Sequence, residues 1–320
     1  MNSDARKRSK TPATTEPAEP RAAVSRAGSQ RFATQVNESS DVPDQFRNAL
    51  EIETAVHGPL EIGFLIPPMV RPGKSGTAMI PKRAVCLLKD RLLLLSLPSD
   101  SDRVSTVIVD RSHLLGYRMT GFLLDCWITL YHAGVPQEIE IQFPVQSGEL
   151  HSTFVKALFH ENCHQPGGIQ QSSSRSVIPL NCPAQFTRFL HEHPEVGELR
   201  DCFLQTAVPF GKARRQKCAN LLVARSEDGL IALTDEETSG FSWLGLRVTY
   251  IPLRSVARAE WIDQFHQQQG AFLVFVGSAG HLVRLEWILA MRFRQPALNW
   301  IENLNSTLEY RTATTNKQSA

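Results

Sequence analysis

The chain has 320 residues, 42% of them hydrophobic and 8% aromatic, enough to supply one or two substantial cores. With 34 Lys and Arg against 32 Asp and Glu, the net charge of +2 excludes a chain-wide field that would gather nucleic acid or an anionic membrane, so any such contact is local. Six cysteines without CxxC spacing fit neither a zinc ribbon nor a disulfide scaffold and read as buried free thiols.

Residues 1–41 are rich in Ser, Thr, Pro, Ala and charge, with Phe32 their only aromatic residue, too little apolar area to offset ordering entropy; a disordered tail is expected. Arg6-Lys7-Arg8 is not followed by an apolar signal region, and the most apolar runs, residues 92–97 and 271–276, have the length of strands. No transmembrane segment and a cytoplasmic location are therefore expected. Val42-Pro43 before Gln45, Phe46 and Leu50 opens a short amphipathic helix. Residues 85–89 and 92–97 read as strands flanking a polar turn, and Ile139, Ile141 and Phe143 alternate with polar neighbours, the pattern of a strand with one wet face. Leu150, Phe154, Val155 and Leu158 share one face of a closing helix.

Residues 164–177, with Pro166-Gly167-Gly168 and Ser172-Ser173-Ser174, have the composition of a flexible linker. Beyond it Ile178-Pro179 precedes Gln185, Phe186 and Leu190 as another short helix. Strands at 221–225 and 230–233 flank Glu227-Asp228-Gly229, a hairpin signal, and Val283, Leu285 and Trp287 alternate with Arg284 and Glu286. Pro296 sits in the first turn of a second closing helix bearing Ala297, Trp300, Ile301 and Leu304, and residues 309–320 form a polar tail expected to fray.

The second half thus echoes the first. Thr249-Tyr250-Ile251-Pro252-Leu253-Arg254-Ser255 matches Thr106-Val107-Ile108-Val109-Asp110-Arg111-Ser112 at four of seven places, and matches continue in order on both sides. Gly73-Lys74 pairs with Gly211-Lys212, Asp90-Arg91-Leu92 with Asp228-Gly229-Leu230, Ile139-Glu140-Ile141 with Leu285-Glu286-Trp287, and Phe154 and Leu158 with Trp300 and Leu304. Collinearity is what chance does not supply. The spacing changes only in the polar stretches 235–243 and 263–270, where loops absorb insertions.

Residues 230–235, residues 249–256 and the final helix with Trp300 and Leu304 carry a resemblance to the bacterial PH-like form of the pleckstrin-homology superfold. The resemblance covers residues 42–163 and 178–308. It implies a mainly β, α+β chain of two tandem PH-like domains, each a partly open antiparallel barrel closed by a C-terminal amphipathic helix. It also implies a binding or adaptor scaffold without a specified ligand. A non-enzymatic role with a protein or peptide partner follows, by strand addition at an exposed sheet edge, and no cofactor is expected.

Several other constellations are weighed against that reading. Lys212, Arg214, Arg215 and Lys217 form the densest basic cluster, between the first two strands of the second copy. The same loop binds inositol phosphates in some PH domains, which implies peripheral contact with anionic lipid as an alternative; four such charges supply about 4 kcal/mol near an anionic surface. A solvated loop is the plain reading. His160-Glu161-Asn162-Cys163-His164 matches HExxH, which would make a zinc hydrolase, but Pro166 and the glycines stop the helix at once, so no metal is assigned. His191-Glu192-His193 reads as a solvated helix end. Pro72-Gly73-Lys74-Ser75 lacks the first glycine of a phosphate-binding loop, and Arg111 and Arg254 read as structural strand-end residues.

Overall fold

A computed structural model describes residues 33–73, 76–98, 101, 103–122, 125–133, 138–144, 150–159, 177–193, 196–210, 216–237, 244–263, 269–278 and 281–318. The first half runs β1 (Thr34–Val36), α1 (Asp44–His57), β2 (Leu60–Ile66), the hairpin β3 (Met69–Gly73) and β4 (Gly76–Ile80), then β5 (Lys82–Leu88), β6 (Arg91–Leu97) and β7 (Ser105–Asp110). A 3-10 turn at Arg111–His113 leads into β8 (Leu114–Phe122), β9 (Asp125–His132), β10 (Ile139–Pro144) and α2 (Leu150–Phe159). The second half repeats this order with α3 (Ala184–Glu192), β11 (Leu199–Gln205), the hairpin β12 (Val208–Phe210) and β13 (Gln216–Cys218), then β14 (Leu221–Ser226), β15 (Gly229–Glu237) and β16 (Leu244–Pro252). A 3-10 turn at Leu253–Ser255 is followed by β17 (Val256–Asp263), β18 (Gln269–Ser278), β19 (His281–Ala290) and α4 (Arg294–Gln318). The chain is mainly β with helices, of the α+β kind.

The halves share irregularities as well as order. Register shifts between Leu60 and Ile62 and between Leu199 and Asp201 open the first long strands. A second pair, between Leu114 and Gly116 and between Val256 and Arg258, follows the 3-10 turns. These bulges set the alignment of the halves more strictly than side-chain identity does. Asp110 faces Arg91 and the Arg111 N–H bonds the Asp90 carbonyl, just as Pro252 faces Gly229 and the Leu253 N–H bonds the Asp228 carbonyl. Arg111 therefore corresponds to Leu253, and Arg254 to Ser112. The seven-residue echo is out of register by one place, a slip that in a strand exchanges the two faces.

Strand order is β1-β2-β5-β6-β7 in one sheet, β17-β18-β19 in another and β10-β9-β8-β16-β15-β14-β11 in a third, all antiparallel and none closed on itself among the described residues. The seven-stranded sheet joins the three-strand unit of the first half to the four-strand unit of the second through β8 and β16, with Tyr117 opposite Tyr250 and Gly121 opposite Leu246.

Both faces of the five-stranded sheet are covered, which is why residues 84–88 and 92–95 are nearly continuous apolar runs. Ala84, Cys86, Leu93 and Leu95 meet Phe46 and Leu50 of α1, while Val85, Leu87 and Leu92 face Ile128, Phe143 and the α2 residues Phe154, Val155 and Leu158. In the second half Phe186 and Phe189 of α3 cover Leu222, Ala224, Ile231 and Leu233, in the same cluster as the interior of the first half. Val223, Ala232 and Val274 lie in a further cluster with Ala297, Trp300, Ile301 and Leu304 of α4.

Some expectations are corrected at the element ends. Residues 33–41, assigned to the tail, carry β1, whose Val36 packs against Gly63 where a side chain would lie 3.1 Å from the Val36 Cβ. The proline that opens the second entry helix is Pro183, not Pro179: α1 and α3 both start from a Pro-x-Gln-Phe tetrad, at Pro43 and Pro183. The closing helix continues through Gln318, across residues 309–318 whose composition suggested fraying, because Leu308 is still buried and Arg311 bonds the Glu227 carbonyl at 2.6 Å. The 164–177 linker lies outside the described residues apart from Val177.

Candidate functional site

The basic cluster is only partly placed. Lys212, Arg214 and Arg215 lie outside the described residues, and Lys217 stands in β13 opposite Pro209. His160 and His164 also lie outside them, and among the described residues no group of three His, Cys, Asp or Glu could hold a metal ion. His191 is exposed on the last turn of α3, and His193 stacks on Phe189 with ring centroids 4.1 Å apart. Burial pushes the Cys86 thiol up to about 12 and the Cys202 thiol up to about 11, which keeps both protonated and poor nucleophiles.

Arg111 is a structural residue. Its side chain is only 7% exposed and donates to the carbonyls of Lys89 at 2.9 Å and Ala157 at 2.8 Å and to Glu61 at 2.9 Å, tying the β5–β6 turn to the last turn of α2. Arg254 is exposed and makes no hydrogen bond or ion pair with another described residue. In the second half the tie between closing helix and sheet is made instead by Asp201, which accepts from Trp300 Nε1 at 2.8 Å and from Arg225, which also reaches Thr307.

The halves differ most at the outer edge of the three-strand unit. On β8 that edge is filled: Tyr117, Phe159 of α2 and Tyr250 of the incoming β16 pack as an aromatic trio with centroids 5.3, 5.6 and 6.3 Å apart. The corresponding strand, β17, ends its sheet with no strand beside it among the described residues. Transferring the bulge alignment puts Ala259 in the place of Tyr117, and the helix match of Leu158 with Leu304 puts Asn305 in the place of Phe159. Asn305 performs the missing strand's bonding at one residue: its amide accepts from the Ala259 N–H at 3.0 Å and donates to the Ala259 carbonyl at 2.9 Å. By the alternation of an antiparallel ladder the main-chain groups of Trp261 and Asp263 point the same way as those of Ala259.

Beside this edge runs a groove of about 1160 Å³ between Leu253–Arg258 and the α4 surface from Asn305 to Thr314. Val256 and Leu308 form its apolar floor, while Arg254 and Tyr310, the latter 75% exposed, stand at its rim. Arg258 lies 4.5 Å from the Phe275 ring centroid and 2.8 Å from Glu260. At the far end of β17 the Trp261 indole N–H and the Arg294 guanidinium both donate to Asp263, which holds that carboxyl below the usual range. A strand edge with outward N–H and C=O groups, an apolar floor and an exposed arginine at the rim suits an extended peptide. Sequence reasoning missed Asn305, although a signal was present: one position after the matched Leu158 and Leu304, an aromatic residue becomes an amide.

Among the described residues no helix is long and apolar enough to cross a membrane. No protein-family model matches this chain, and no curated protein does either.

Proposed function

We propose that this protein is a non-enzymatic binding adaptor that takes an extended segment of a protein or peptide partner as an added strand on β17. The observation that carries the reading is internal: β8 and β17 hold the same position in the two halves, and β8 already receives a strand, β16, along its outer edge. Main-chain bonds at Ala259, Trp261 and Asp263 supply affinity, and the Val256–Leu308 floor with Arg254 at the rim supplies selectivity. The order of four strands, three strands and a closing helix in each half supports the reading of each as a PH-like module whose helix side is open for binding.

Selection of random extended peptides against the immobilised full chain, followed by hydrogen exchange of the complexes, tests this. Bound peptides are expected to slow exchange at the Trp261 and Asp263 amides, and N-methylation of alternate peptide amides is expected to abolish binding. Peptides that protect other segments, or no selected peptide at all, contradict the proposal.

A further inference from the structure

Two strand edges lack a neighbour in comparable positions among the described residues. β17 ends the three-strand unit of the second half, and β7 ends the five-stranded sheet of the first. In the alignment of the halves β7 corresponds to β16 and β17 to β8, so the free edges are the counterparts of the two edges that already pair with each other inside the chain. We infer that the strand entering the β17 groove is β7 of a second copy of this chain, displacing the Asn305 amide from Ala259. This rests on strand addition at β17 and names its occupant.

The register follows from the internal pair. Tyr250 opposite Tyr117 becomes Ile108 opposite Ala259, and Val248 opposite Met119 becomes Thr106 opposite Trp261. Ile108 then faces α4 where Asn305 and Leu308 lie, and Asp110 comes to the groove end that holds Arg254 and Arg258. β7 is dressed for such a contact. It is a regular strand without proline, bulge or lysine, and it leaves Val107 48% and Ile108 46% exposed, whereas natural edges not meant for pairing carry one of those guards. β17 does carry guards, the bulge at Ala257 and the Asn305 amide. Asn305 therefore holds the groove shut against weak strands, and assembly depends on concentration.

Because β7 and β17 differ, the contact is heterologous: every added copy leaves one edge of each kind free and the assembly grows head to tail. Sedimentation velocity of the full chain over a concentration series reads it. Asn305→Ala, which leaves the Ala259 N–H and C=O without a partner, is expected to raise the association constant about tenfold, the equivalent of one to two net hydrogen bonds. Ile108→Lys and, as a second variant in case the first folds poorly, Val107→Lys are expected to remain monomeric even when combined with Asn305→Ala. A synthetic peptide of residues 104–111 is expected to dissolve the assemblies and to protect the Trp261 amide. Monomeric Asn305→Ala protein at every concentration overturns the inference, as does association that survives Ile108→Lys and Val107→Lys. Library-selected peptides that still protect Trp261 in that event leave the groove reading standing and remove only this occupant.

Discussion

A β-carbon on Gly229 would lie 2.3 Å from the ring of Tyr250, the largest fully buried side chain among the described residues and the residue that crosses from β16 to β8. Gly229→Ala is therefore expected to destabilise the protein by about 1–3 kcal/mol, as overpacking of a filled core does. Equilibrium denaturation in urea measures it as a lower midpoint with an unchanged slope. Gly116 is under the same constraint from the other side: its φ of +153° lies beyond the usual range of other residues, and a side chain there would meet the Tyr250 carbonyl at 2.5 Å. Asp228-Gly229 was readable as a turn, but the need for glycine comes from a ring twenty-one positions away in the chain. The two arginines of the seven-residue echo show the limit of identity as a guide. Both precede serine, yet Arg111 is buried in carbonyls while Arg254 stands in solvent at the groove rim, because the backbone bonds of the neighbouring turns set the register and identity does not.

Between elements, a few buried polar side chains do what apolar packing cannot, which is to fix one strand end relative to another. Gln205, at the end of β11 and without solvent exposure, donates to the Ala219 carbonyl at 3.0 Å and the Ile288 carbonyl at 3.4 Å, and accepts from the Ala290 N–H at 2.8 Å. It thereby staples the four-strand unit of the second half to β19. Gln205→Leu leaves the buried Ala290 N–H and two part-buried carbonyls without that partner, and a loss of about 1–3 kcal/mol is expected. Hydrogen exchange at Ala290 should accelerate more than at the centre of β18, which separates this local loosening from a general loss of stability. The sequence signals for elements served well where one face is apolar: the closing helices bury Phe154, Val155 and Leu158 and Ala297, Trp300, Ile301 and Leu304, as their spacing predicts. They failed at the ends. Val36 is the only buried residue of β1, in a polar stretch, and the last turns of α4 have no apolar stripe to announce them.

At the scale of the molecule, the halves share a sheet and a core. The β8–β16 ladder runs from one to the other, and Tyr117, Phe154, Phe186 and Leu233 belong to a single buried cluster. Each half expressed alone would expose a seam edge and part of that cluster. Residues 33–159 and 177–318 produced separately are expected to aggregate, and produced together to yield a soluble 1:1 complex, as measured by size-exclusion chromatography. A monomeric, natively folded 33–159 fragment would show instead that the seam is dispensable.

What the sequence by itself determined is the duplication, the kinds and order of most elements, and the faces their periodic residues turn inward, because these depend on local spacing and are written into each half separately. Which edges pair was decided only by the tertiary structure. β7, β8, β16 and β17 are all strand-like in isolation, and an edge's fate depends on what the rest of the chain brings beside it: Tyr250 fills one, Asn305 guards another. The candidate groove arises from that difference, since among the described residues no strand lies beside β17 in the place that β16 occupies beside β8.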